Sequence, residues 1–208
     1  SKVATPSIMS RIWPENVKDD LDGTSVHGLQ DMIYKLPNLH VESVNVELPI
    51  NIGFWRSVGY TFNIFAIETF IDELAHAAGK DPLAFRQSLM TKHPKSLAVL
   101  NAVAEKAGWG TPTEKGVGRG LAMCKAFASH VAACAEVSVD DNGELKIHRI
   151  VAATDPGYAV NPQQIEAQVE GSFVFAYLKE GVQPVAGGHD DRSAGRGESR
   201  KDCQRLGG

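Results

Sequence analysis

Hydrophobic positions recur at three- and four-residue spacing through the middle of the chain and then change to simple alternation. Over residues 61–78, Ile64, Ile67, Phe70, Ile71, Leu74 and Ala78 fall on one face of a helix, and Gly79 supplies a left-handed stop. Asp81-Pro82 restarts the chain with a capping carboxylate and a proline at the first helical position, predicting a second helix over 82–90. His93-Pro94 opens a third, with Leu97, Leu100, Val103 and Ala104 as its apolar stripe up to Gly108. Beyond Trp109-Gly110 the pattern becomes that of strands, over 121–124, 131–139 and 145–153. Asn142-Gly143 stands between the last two as a hairpin signal. Asn161-Pro162 caps a fourth helix over 163–177. Upstream, residues 39–48 alternate like a half-buried strand leading to Gly53, while Pro6, Pro14, Pro37 and Pro49 break any long helix. Runs of helices followed by runs of strands predict an α+β fold, with helices packed on mixed or antiparallel strands.

From Gly181 onward the chain is rich in glycine, charge and serine and offers little to bury. Residues 181–208 therefore read as a disordered tail unlike the preceding 1–180, which form the folded part. The abrupt change suggests a frame error or an artificial end. The 208 residues carry 43% hydrophobic and 22% charged residues, ordinary for a globular chain, and a net charge of -4. That charge gives no electrostatic case for nucleic acid, and no apolar run approaches the ~20 residues that span a bilayer. Cys124, Cys134 and Cys203 form no CxxC pair, so iron–sulfur or zinc ligation within the chain is not expected and the thiols read as small buried or incidental groups.

The stretch with most chemical content is Gly53-Phe54-Trp55-Arg56-Ser57-Val58-Gly59, which runs straight into the first helix. Phe54 and Trp55 favour burial and Arg56 does not, a costly mixture for a plain connector. A glycine-flanked turn at a helix start lets backbone N–H groups approach an oxyanion closely. Glu68, Asp72 and Glu73 read as a solvated polar face of that helix. His27, His40, His76, His93, His130 and His148 lack ligand spacing and read as structural or exposed. Gly116-x-Gly118-x-Gly120 lacks a strand–turn–helix frame and reads as a loop.

Three stretches in order carry a resemblance: the turn at 53–59 with its helix, Ala133-Cys134-Ala135-Glu136-Val137-Ser138-Val139, and Asp155-Pro156-Gly157-Tyr158-Ala159-Val160-Asn161-Pro162 with Gln168 beyond it. Together they resemble the molybdenum hydroxylase (xanthine oxidase) family, in particular large subunits of the isoquinoline 1-oxidoreductase and aldehyde oxidoreductase type. The resemblance implies that residues 1–180 are part of a molybdopterin-binding domain. It implies a molybdenum–molybdopterin cytosine dinucleotide cofactor, and a small partner subunit carrying [2Fe–2S] clusters. The implied activity is hydroxylation of an N-heteroaromatic or aldehyde carbon using water. Arg56 would be catalytic and lie beside the cofactor, Phe54 and Trp55 would line the substrate funnel, and Trp55, Asn161 and Gln168 would contact the cofactor. The compartment, cytoplasmic or periplasmic, is left open. A Gly-Gly-Gly-Phe-Gly loop and the Gly-x-Gly-Glu segment with the family's base glutamate have no counterpart here, and Pro156 stands where the family carries cysteine or valine. The chain thus reads as a fragment, and a metal-free, non-catalytic α+β module is the rival expectation.

Overall fold

The computed structural model describes residues 17–18, 21–42, 49, 53–179 and 203–205, with backbone alone for 17–18, 21–22, 177–179 and 203–205. Two compact units divide the chain, Ser1–Lys92 and His93–Gly208.

In the first unit a two-residue pair, β1 (Val17–Lys18) and β2 (Leu21–Asp22), precedes helices α1 (Tyr60–Ala77) and α2 (Pro82–Leu89). The ends of α1 and α2 follow their sequence signals. Gly79 at φ +62 closes α1, with Lys80 N donating to Ala75 O at 2.9 Å, and Asp81 Oδ1 accepts from Ala84 N at 2.9 Å to start α2. Val26, Ile33, Tyr34, Ile67, Ile71, Ala75 and Met90 form the core of this unit.

The buried face of α1 is not quite the expected one. Ile67 and Ile71 are buried, but Phe70 is exposed, and Glu68 takes a place in the interior. At 100° per residue the buried face, Asn63, Ile67, Glu68, Ile71 and Ala75, is rotated by roughly 30° from the apolar stripe. The cause is Arg86 of α2, which has no exposed surface and must be neutralised. Its Nε donates to Glu68 Oε2 at 3.1 Å, Nη2 to the Glu68 carbonyl at 3.1 Å, and Nη1 to Asp72 Oδ1 and to the Pro82 carbonyl. Tyr34 Oη donates to the other Glu68 oxygen at 2.7 Å. The reading of Glu68 as part of a solvated face is therefore corrected; Asp72 holds Arg86 from a side chain still 44% exposed, and Glu73 is exposed.

In the second unit α3 (Pro94–Ala107) packs on an antiparallel meander of β3 (Val117–Ala126), β4 (Ser129–Val139) and β5 (Leu145–Asp155). Helix α4 (Pro162–Lys179) follows, and the backbone of β6 (Cys203–Arg205) pairs parallel with β5, giving the order β3-β4-β5-β6. Alternate residues Leu121 and Met123 on β3 and Ala132 and Cys134 on β4 are buried, as are Val99, Leu100 and Val103 of α3. Two arginines close the C-terminal end of α3. Arg119 Nη1 donates to the Gly108 carbonyl at 2.7 Å while its Nε holds Glu136 Oε1 at 2.8 Å, and Arg149 Nη2 donates to the Lys106 carbonyl at 3.1 Å.

Asn142-Gly143 makes the β4–β5 turn as expected, with Gly143 at φ +83 and Asp140 Oδ1 accepting from Asn142 N and Glu144 N. A bulge shifts the ladder between Glu136 and Val137, so that His148 stands as the extra residue and its Nε2 meets Ser138 Oγ at 2.8 Å. The glycine run at 116–120 is not a loop: β3 begins at Val117, so Gly118 and Gly120 lie in the strand. The expected strand at 39–48 lies partly outside the described residues, and 39–42 are irregular. Of the tail at 181–208 only β6 lies within them. Among the described residues no helix is long and apolar enough to cross a membrane.

Candidate functional site

The turn before α1 is built from short-range constraints. Val58 N donates to the Trp55 carbonyl at 2.9 Å, Tyr60 N to the Ser57 carbonyl at 3.0 Å, and Asn63 N to the Gly59 carbonyl at 3.1 Å. Thr61 Oγ1 donates to the Arg56 carbonyl at 3.2 Å. Ser57 and Val58 lie at φ +70 and +48, a left-handed conformation unusual for any side chain and more so for β-branched valine. Such strain persists only when the surroundings over-determine it.

Those surroundings are residues 24–28. Asn63 Nδ2 donates to the carbonyls of Ser25 and His27, both at 2.9 Å, and the His27 ring stacks on Tyr60 with centroids 4.7 Å apart. Gly59 lies so close to this segment that a Cβ there would stand 2.1 Å from the Thr24 carbonyl oxygen. Only glycine fits. Gly53, by contrast, has open space around it. Asn63 and Gly59 thus clamp the helix start, and the turn presents Phe54, Trp55 and Arg56 outward, all three exposed. Gly59 provides no side-chain cap to α1, whose first amide, Tyr60 N, is held by the Ser57 carbonyl instead, and Arg56 is an exposed cation on the turn that leads into the positive end of this 18-residue helix.

The other two candidates belong to the second unit. Asn161 caps α4, its Oδ1 accepting from Gln164 N at 3.3 Å. Gln168 stands seven residues on, two helical turns along the same side, and both are exposed. The chain before them, Pro156 to Val160, is turned by Gly157 at φ +80, with Gly157 N donating to Asp155 Oδ1 at 2.9 Å. Trp55 and Arg56 are adjacent on one turn, and Asn161 and Gln168 share one helix. Both places pair a helix start with polar side chains in solvent, a donor set that fits an anionic, phosphate-bearing group. Among the described residues no group of three or more His, Cys, Asp or Glu side chains could hold a metal ion.

Sequence reasoning missed the supports rather than the presenters. Glu68 lies between Ile64, Ile71 and Ala75 on the helical net, and a carboxylate inside an apolar stripe is the signal for a buried cation. Burial works against the Arg86 charge, but Asp72 and Glu68 outweigh it and hold its pKa above the usual arginine value. Burial, then the Glu68 charge, push the Tyr34 hydroxyl well above its ordinary range, so it remains a donor.

A second polar cluster joins α3 to the sheet. Ser96 Oγ, fully buried, meets His130 Nδ1 at 2.8 Å, and Asp155, the cross-strand partner of His130, stands 3.8 Å from Lys95. Burial lowers the His130 pKa, opposed by Asp155 and reinforced by Lys125, Lys95 and His93. Although this set contains hydroxyl, imidazole and carboxylate, the Ser96 oxygen is closed to solvent, so it acts as a packing lock and not as a nucleophile.

Comparison with known proteins adds a family. Residues 66–177, from the first half of α1 into α4, match the family described as Molybdopterin cofactor-binding domain. The chain is 27% identical over 195 residues to the beta subunit of isoquinoline 1-oxidoreductase from Brevundimonas diminuta, covering 89% of this chain and 25% of that protein. It is 33% identical over 162 residues to one subunit of nicotinate dehydrogenase from Pseudomonas putida, covering 67% of this chain and 14% of that one. It is 30% identical over 164 residues to a membrane-bound aldehyde dehydrogenase [pyrroloquinoline-quinone] of Gluconacetobacter polyoxogenes, covering 68% of this chain and 21% of that one. The chain thus spans a quarter or less of each of these relatives. No solved structure matches it.

Proposed function

Since the chain belongs to the molybdopterin cofactor-binding domain family of the molybdenum hydroxylases, we propose that it is the portion of a molybdenum-cofactor subunit that presents the Trp55–Arg56 turn to cofactor and substrate. The observation that carries this reading is the clamped, strained turn: Gly59 against the Thr24 carbonyl, Asn63 on two carbonyls, and Ser57–Val58 held left-handed.

When bound, a molybdenum–molybdopterin cytosine dinucleotide supplies the redox chemistry for hydroxylating an N-heteroaromatic or aldehyde carbon with water. The residues of this chain bind and orient. Arg56 places a planar, permanently charged donor fork where negative charge develops on the substrate. Phe54 and Trp55 offer flat apolar walls to an aromatic ring or an aldehyde. Asn161 and Gln168, at and beyond the start of α4, offer amide groups beside a helix N-terminus to the dinucleotide pyrophosphate. The names of two relatives, isoquinoline and nicotinate, support a heteroaromatic substrate, and that of the third supports an aldehyde while naming a different cofactor. Electrons would leave through [2Fe–2S] clusters on a small partner subunit.

Molybdenum and pterin analysis of the chain, purified from a host that makes the cofactor, tests the binding part. Stoichiometric pterin with molybdenum supports it, and a metal-free, pterin-free chain would leave the non-catalytic α+β module. For the role of Arg56, an arginine-to-methionine change at the matching position of a full-length relative should lower turnover per bound molybdenum by ~10²–10³. Lysine would restore part of this. Turnover per molybdenum that does not change would end the catalytic assignment.

A further inference from the structure

Residues 24–28 form a bed along the start of α1, and one side chain ties that bed down. The Thr24 carbonyl lies over Gly59, the Ser25 and His27 carbonyls meet Asn63, and the His27 ring stacks on Tyr60. Gly28 closes against Ile64, where a Cβ would stand 2.8 Å from Cδ1, and takes φ +82, so glycine is required there too. Asn63 is only 9% exposed, and its Nδ2 carries two N–H groups, both of them used at 2.9 Å. A hydroxyl would offer one donor. A carboxylate would offer none and would set its lone pairs against two carbonyl oxygens. Thr61 Oγ1 also holds the Arg56 carbonyl, at 3.2 Å, but on the exposed side, where water competes for the same bond.

We propose that Asn63 is the positioning residue for Arg56: by tying residues 24–28 to the start of α1 it fixes the direction in which the turn presents the guanidinium. The role rests on the catalytic reading of Arg56 given above. The coupling runs through the backbone. With residues 24–28 seated, the Thr24 carbonyl leaves no room beside Gly59, and Ser57 and Val58 are held at φ +70 and +48. In that geometry Val58 N reaches the Trp55 carbonyl and Tyr60 N the Ser57 carbonyl, which closes Arg56 into a fixed turn. With the seat released, Val58 relaxes toward the right-handed region at φ about −63°. From +48 that is a rotation of roughly 110°, which turns Arg56 away from its present direction. A misplacement of about 1 Å at a reacting centre already costs ~10²-fold in rate. Asn63 therefore bears on turnover although it lies seven residues from Arg56, on the inner face of the helix.

Amide hydrogen exchange read by NMR on the 208-residue chain tests the coupling without any cofactor. Asn63→Asp keeps the volume and removes both donors; Asn63→Ala, which leaves the two carbonyls to water, takes its place where the aspartate variant does not fold. The Val58 and Tyr60 amides should exchange about 10-fold faster or more, the equivalent of one lost hydrogen bond, while those of Ile71 and Ala75 keep their protection. Unchanged exchange at Val58 and Tyr60 would overturn the proposal. So would an equal rise along the whole of α1, which marks a residue of the fold alone. The second arm uses a molybdenum-loaded, full-length relative that carries the same asparagine and arginine. There the Asn63 change should lower turnover per molybdenum by ~10–10² with KM nearly unchanged. In an Arg56→Met background it should cost nothing further, because no direction is left to lose. Losses that multiply in the double variant would overturn the positioning role while leaving Arg56 its own. An Arg56→Met enzyme with undiminished turnover would end the catalytic reading itself, and the positioning role with it.

Discussion

Replacing Arg86 by methionine should destabilise the first unit far more than its single side chain suggests. Arg86 has no exposed surface, and its partner Glu68 keeps only 5% of its own. Five hydrogen bonds converge on this arrangement: Arg86 to Glu68 Oε2, the Glu68 carbonyl, Asp72 and the Pro82 carbonyl, and Tyr34 to Glu68 Oε1. Methionine fills much of the volume but leaves the Glu68 carboxylate buried without the cation that neutralises it, the Tyr34 hydroxyl being a neutral donor. Breaking a buried pair in this way typically costs about 3–5 kcal/mol, roughly a third to a half of a domain's whole stability. The intact pair itself contributes much less, because desolvation offsets most of its Coulomb attraction. Hence Glu68→Leu/Arg86→Met should recover most of the loss, and adding Tyr34→Phe should recover the ~1–3 kcal/mol left in an unmatched hydroxyl. Urea unfolding followed by far-ultraviolet circular dichroism, with α1 and α2 contributing the signal, gives each value. A single variant that loses less than about 1 kcal/mol, or a double variant worse than the single, would refute the reasoning.

Other expectations follow from the same geometry. Gly59→Ala drives a Cβ to 2.1 Å from the Thr24 carbonyl and should cost at least about 2 kcal/mol, measured as a shift in the urea midpoint. Ala128→Gly should stabilise the chain by ~0.5–1 kcal/mol, since Ala128 holds φ +64 in the β3–β4 turn, and a loss of stability would show that the turn differs. His130 is held below its unfolded pKa, so it favours folding when neutral. Its contribution is present above about pH 6.5 and fades as pH falls through the lowered folded value, and His130→Asn should flatten that slope in unfolding titrations. Cys134, buried and raised to about 11, should resist alkylation at about pH 8 while half-buried Cys124 reacts first, as peptide mass mapping would show.

Punctuation was the legible part of this sequence. Gly79, Asp81-Pro82, Pro94, Gly108 and Asn142-Gly143 each act through local backbone chemistry, and each marks an element boundary or turn in the structure. What local chemistry does not contain is which side of a helix meets a partner. Phe70 belonged to the apolar stripe by spacing, yet Glu68 entered the interior because Arg86, eighteen residues later, was waiting there. The β3–β4 turn escaped notice for a different reason. Phe127 and Ala128 both adopt positive φ, at +49 and +64, without glycine or asparagine, so the ladder on either side imposes a turn that its residues do not prefer. At the candidate site, Gly53 to Gly59 stood out because mixed aromatic, charged and glycine residues are rare in a connector. Its supports, Asn63 and His27, are polar residues of ordinary appearance that only the fold brings to the turn.

The left-handed pair Ser57–Val58 sets stability and purpose against each other at two adjacent codons. Glycine at 58 would relieve a β-branched side chain at φ +48 and should make the chain more robust to heat. The same change would release the backbone on either side of Arg56 to sample other directions, so a library selected for thermal tolerance would enrich it and one selected for turnover would discard it. Deep mutational scanning of this turn under both selections would separate the residues that keep the protein folded from those that keep it aimed.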